Sequence, residues 1–162
     1  TEGFMTRYAA QTHVPVDRSK AEIERILVRY GADQFIAGWR EGGATVAFRM
    51  ANRLIRFNVP TPAPSERSFV KTETGRARSP GQARLAWEQA CRQRWRALAL
   101  AIKAKLEAVE SGIVTFDEEF LPYIVLPNGQ TIAQMMVPQI QAGYEKGQIP
   151  KTLTWLGEKA TP

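Results

Sequence analysis

The clearest pattern in this chain is an apolar stripe between residues 82 and 110. Trp87, Cys91, Trp95, Leu98, Ile102, Leu106 and Val109 recur every three or four positions, which holds one face of a helix apolar throughout. The spacing predicts a helix from about Gln82 to Glu110. Ala86, Ala90, Ala97, Ala101 and Ala104 gather on the opposite face. Small residues opposite large ones predict contacts on both sides, from another helix or from a second copy of the chain. Arg92, Arg96 and Lys103 line one flank between these faces, with Arg94 and Lys105 on the other.

A shorter helix is written into "VDRSKAEIERILVRYGADQ". Ile23, Ile26, Leu27 and Tyr30 form its apolar stripe, and Gly31 supplies a left-handed residue to end it. Ser19 with Glu22 three positions on predicts a capping box at its start. The period then changes to two. "QFIAGW", "ATVAFRM" and "RLIRFNV" read as three strands, bounded by the turn residues Glu41, Gly42 and Gly43 and by the tight pair Ala51–Asn52. Val46, Phe48 and Met50 share a face, as do Ile55, Phe57 and Val59, with Thr45, Ala47, Arg49, Leu54, Arg56 and Asn58 opposite. The product is an antiparallel meander with one apolar face and one partly basic face.

Between about residues 60 and 81 no period survives, and four prolines and two glycines interrupt the chain. A loop of this length inside a domain is commonly functional or disordered, so a mobile segment is expected, with Phe69 and Val70 available to pin it or to add an edge strand. The run "PTPAP" is the one low-complexity hint. Past Gly112, Thr115 with Glu118 predicts a capped acidic turn of helix, followed by a short strand at Tyr123–Leu126 and a turn at Pro127–Asn128–Gly129. "TIAQMMVPQIQAGYEKG" predicts a last helix, kinked or restarted at Pro138. The fold class is therefore α+β: an N-terminal helix, a three-stranded antiparallel meander, a long central helix and a small C-terminal α/β extension. Residues 17–162 read as a single domain with the basic loop at about 60–81, and residues 1–16 as a tail. Its opening "TEGF" before Met5 reads as a tag remnant or upstream extension.

Charge changes this picture more than composition does. The chain has 162 residues and net charge +6, and 44% hydrophobic residues suit an ordinary globular protein. Residues 66–105 hold ten Lys/Arg against three Asp/Glu, whereas residues 106–162 hold three against seven. A polarised distribution of this kind argues for an anionic partner. Lys71, Arg76, Arg78, Arg84, Arg92 and Arg96 are the candidate contacts to phosphates, since nucleic-acid binding needs reachable positive charge on a loop and the adjoining helix. A solvated surface of a basic protein is the plainer explanation of the same residues.

Catalytic signals are sparse. No phosphate-binding loop, nucleophile elbow or zinc-protease motif is present. Cys91 sits on the apolar stripe, where a buried inert thiol is expected. His13 precedes the first helix, where an exposed role is expected. With one Cys and one His, a zinc or copper site built on them is not expected, and a reducing cytoplasm suits the chain. Asp117, Glu118 and Glu119 could ligate Mg²⁺, but carboxylates at a helix start are explained by the dipole. Trp87 and Trp95 belong to the core stripe, Trp39 closes a strand and Trp155 lies in the tail. No catalytic residue, metal or cofactor is assigned, and no apolar run is long enough to span a bilayer.

Through "YAAQTHVPVDRSKAEIERILVRYGADQF" and "RQRWRALALAIKAKLEAVESGIVTFDEEFLPYIVLPNGQTI" the chain resembles small proteins encoded by tailed bacteriophages and prophages. That resemblance implies a phage context and a site in the cytoplasm of the bacterial host, and it transfers no activity. The αβββα order also matches double-stranded RNA-binding domains, which carry a lysine-rich motif where this chain reads "SPGQARLAW". Phage single-strand annealing proteins likewise back a meander with a long helix. The expectation is a non-enzymatic accessory protein binding nucleic acid in replication or recombination. The alternative is a protein-interaction factor that inhibits or redirects a host protein, or an oligomer assembled through the alanine face.

Overall fold

A computed structural model describes residues 16–40 and 43–147. The readings of the opening tail, His13, Glu41, Gly42 and Trp155 concern residues outside these.

The first helix, α1 (Asp17–Arg29), starts earlier than the expected capping box. Val16 is buried and occupies the N-cap position without a side-chain hydrogen bond, so Ser19 lies inside the first turn. Core burial of Val16 therefore sets the start. The end is as expected. Gly31 has φ +93°, Ala32 N–H donates to the Leu27 carbonyl at 2.9 Å, and Gly31 N–H donates to that of Val28 at 3.1 Å. This pairing satisfies two carbonyls that the helix leaves open.

The strands β1 (Gln34–Arg40), β2 (Gly43–Met50) and β3 (Arg53–Pro60) form an antiparallel sheet in sequence order. Ala51 and Asn52 both take positive φ, 51° and 59°, the turn that matches strand twist in a two-residue hairpin. Val46 faces Phe57 and Phe48 faces Ile55 across the β2–β3 ladder, so the buried alternation of both strands meets on one face. At Gly43 a Cβ would run into the Val59 carbonyl oxygen, which explains the small residue there.

The central helix α3 (Pro80–Glu110) follows a shorter helix, α2 (Arg67–Val70), within the basic loop. Ser79 caps α3 reciprocally with Gln82, and Pro80 takes the first helical position, so the helix begins two residues before its apolar stripe implies. Trp87, Cys91, Trp95, Ala99, Ile102 and Leu106 are buried against the sheet and α1. Ala99 joins the stripe, while Leu98 and Val109 are half-buried at its margins.

The C-terminal extension departs from expectation in one element. The capped turn α4 (Phe116–Phe120) forms, with Thr115 and Glu118 as its capping box. The strand expected at Tyr123–Leu126 does not. A 3₁₀ turn occupies Leu121–Tyr123, and only isolated bridges follow, Ile55 to Ile124 and Val125 to Thr131. Pro122 fixes the backbone in that turn and Tyr123 stacks on Phe57 at 4.1 Å, so packing takes the residue out of the ladder. Helix α5 (Ile132–Lys146) runs as one element with Pro138 inside it. No helix among the described residues is long and apolar enough to cross a membrane.

The outer sheet face spends its charge locally. Arg49 donates to Asp33 at 2.7 and 2.8 Å, and Arg56 donates to the Gly129 carbonyl and to Gln134 at 2.8 and 2.9 Å. The hydrogen-bonded Arg49 guanidinium holds the Asp33 carboxyl below the ordinary aspartate range. A depressed carboxyl stabilises the fold above its unfolded pKa, and that contribution is lost as pH falls through the folded value. Asp33→Asn is therefore expected to lower Tm at neutral pH, with the gap to wild type closing below about pH 4. A gap that stays constant on acidification would refute this.

Candidate nucleic-acid interface

The basic loop is folded rather than patternless. Phe69 is buried and anchors α2 against α3. Past it, Arg78 N–H returns to the Val70 carbonyl at 2.9 Å, Thr72 N–H donates to that of Arg76 at 2.8 Å, and Gly75 N–H donates to that of Thr72 at 2.9 Å. Lys71 and Ala77 bridge, so residues 71–77 make a small closed turn. The segment thus carries local backbone hydrogen bonding and a buried anchor in Phe69; no ion pair holds it among the described residues.

The structure divides the six candidate cations. Lys71 and Arg76 are exposed on the closed turn, with no side-chain hydrogen bond or ion pair among the described residues. Arg78, two residues on, is taken up by the loop itself. Its guanidinium donates to the Ser68 carbonyl at 2.7 Å and to that of Phe69 at 3.3 Å, capping the open end of α2. Arg84 and Arg92 share one carboxylate, Glu88, at 2.9 and 3.8 Å. Arg96 is exposed without such a partner among the described residues.

Arg92 and Arg96 enter a groove of about 490 Å³ between α1 and α3, together with Gln89 and Gln93. From α1 the groove receives Arg18, Ser19 and Glu22. Arg18 has no hydrogen bond or ion pair among the described residues, and sequence reasoning did not select it. Its only sequence signal was a place on the outward face of α1, since its approach to α3 depends on how the helices pack. Gln89 Oε1 accepts from Arg92 at 3.0 and 3.3 Å and so fixes that guanidinium. The lining therefore presents three guanidinium groups, two amides and a hydroxyl against the single carboxylate of Glu22. Charge-assisted donors in this number suit phosphate oxygens.

The other candidate titratable groups among the described residues are buried or engaged by partners. Burial raises the Cys91 thiol above its ordinary range, outweighing the lowering by Arg94 and Arg92, and a buried neutral thiol is unreactive. Asp117 pairs with Arg53 at 3.0 Å and Glu119 with Lys105 at 2.7 Å. Glu118 accepts from Thr115, which lowers its carboxyl pKa. The acidic triplet is therefore divided among three partners rather than gathered around a metal position. Trp39, 37% exposed, packs edge-on to Trp95, and Lys20 lies over both rings at 5.2 and 5.5 Å. Comparisons with protein-family models, curated proteins and solved structures find no match to this chain.

Proposed function

We propose that this chain is a non-enzymatic accessory protein of a tailed bacteriophage or prophage, acting in the host cytoplasm. It binds nucleic acid during replication or recombination. The observation that carries this reading is the convergence of Arg18, Arg92 and Arg96 on one groove with a single opposing carboxylate. Lys71 and Arg76 on the closed turn, and Arg84 at the start of α3, add further exposed positive charge. Arg18, Arg96, Lys71 and Arg76 have no side-chain partner among the described residues, whereas Arg84 and Arg92 share Glu88 and would exchange it for phosphate. Each phosphate neutralised releases a counterion. Binding to short DNA or RNA oligomers, followed by fluorescence anisotropy across a salt series, is expected to weaken linearly in log–log form. Absence of binding to either at low salt would sink the reading.

A second reading has its own observation. Ala97, Ala101 and Ala104 remain exposed on α3 beside Leu100, which is 57% exposed, while Ala86 and Ala90 are half-buried. An uncovered small apolar face is suited to a second copy or a host protein that the chain inhibits or redirects. Sedimentation, and capture of a partner that survives nuclease treatment, distinguish this from nucleic-acid binding.

A further inference from the structure

The run "PTPAP", singled out by its composition, plays no part in the arginine groove. In the fold it wraps the start of α3. The Pro60 carbonyl accepts from Arg94, and the carbonyl of buried Pro62 accepts the indole N–H of Trp87 at 2.7 Å. Pro64 then closes a second cavity of about 300 Å³ against Pro80, Ala83, Arg84 and Trp87. That size lies at the small end for ligand sites.

The walls of this cavity are two pyrrolidine rings, a methyl group and an indole. Because the Trp87 N–H is already bonded, the indole brings no unsatisfied donor to the cavity. Proline and alanine lose no side-chain rotamer freedom when a ligand settles against them. The one charged residue is Arg84, with its side chain 67% exposed and its guanidinium held 2.9 Å from Glu88. Apolar walls of this kind suit a flat, uncharged ring, and a cation at the rim suits an anion attached to it. A nucleotide supplies both. Arg92 and Arg96 stand about 12 and 18 Å farther along the same helix, the reach of a few nucleotides.

We propose that the cavity between Pro64 and the first turns of α3 holds one unstacked base of a single-stranded nucleic acid. The phosphates of that strand run along Arg84, Arg92 and Arg96. This proposal rests on the nucleic-acid reading above and narrows it to single strands, because a paired base cannot enter a pocket without leaving its duplex.

The test compares the full chain binding labelled oligothymidylate with its binding to an abasic oligomer of equal length and charge. Wild type is expected to prefer the oligomer with bases by about tenfold, toward the low end of what holding one base is worth. Ala83→Leu fills the cavity and Pro64→Ser removes one wall from an exposed loop position. Each is expected to abolish the preference while leaving abasic binding unchanged, with folding checked by circular dichroism. Equal binding of both oligomers by wild type overturns the base pocket and leaves the arginine reading intact. A preference that survives in both folded variants overturns it as well, since the base would then be held elsewhere. Failure of either oligomer to bind at low salt removes the nucleic-acid reading itself. The same result, with an apolar peptide protected from wild type but not from Ala83→Leu, would assign the cavity to a protein side chain instead.

Discussion

Phe120→Ala is expected to destabilise the protein by about 3–5 kcal/mol, the cost of deleting a fully enclosed aromatic side chain. Phe120 has no solvent exposure and meets Phe48 and Phe57 edge-on, at centroid separations of 6.0 and 6.4 Å. It also stacks on Phe116 at 4.7 Å. Its helix α4 has five residues, too few to persist alone in water. The flanking pairs Arg53–Asp117 and Lys105–Glu119 are partly solvated and contribute far less. Phe120 thus ties the C-terminal extension to the sheet together with the Tyr123–Phe57 stack, the Ile55–Ile124 bridge and the Arg56 hydrogen bonds. In urea unfolding the midpoint is expected to fall with an unchanged slope, because the extension and the sheet unfold together. A loss below about 1 kcal/mol would mean that the site collapses around the deletion, outside the usual range for such truncations. A reduced slope would mean that the extension detaches by itself.

Replacing Arg18, Arg92 and Arg96 together by alanine is expected to weaken oligonucleotide binding about 100-fold at moderate salt. The log–log salt slope should fall by about 2–3, near one per phosphate contact removed. Stability should change little. Among the described residues Arg18 and Arg96 leave no partner behind, and Glu88 keeps Arg84 at 2.9 Å when Arg92 is gone. Arg49→Ala is the control for net charge, since it removes one positive charge from the outer sheet face, where Arg49 is paired with Asp33. An equal loss per charge removed in the control and the triple variant would point to net charge alone, and an unchanged slope in the triple variant would remove the groove from the interface.

Much of the architecture was legible because local periodicity and local sterics agree. The stripe from Trp87 to Leu106, the alternation in β2 and β3 and the positive-φ pair Ala51–Asn52 each involve residues close in sequence. The exceptions have specific causes. The signal Ser79–Pro80–Gln82 for the start of α3 was present, but it lay in a stretch whose composition reads as loop. Ser19 and Glu22 carry a capping pattern that goes unused because Val16 is drawn into the core. Tyr123 leaves the ladder to stack on Phe57.

By itself, then, the sequence determined the order of elements, the core faces and the concentration of positive charge between residues 66 and 105. These follow from side-chain period and composition, which are properties of the chain read in order. Only the tertiary structure decided which charges are available. Arg76 and Arg78 stand two residues apart, yet among the described residues one has no side-chain partner on its turn and the other caps α2. Arg18 comes to Arg92 and Arg96 only because α1 packs beside α3. Hydrogen bonding and helix docking place Arg78 and Arg18 across separations that no local pattern spans, and that placement decides which guanidinium groups a partner could reach.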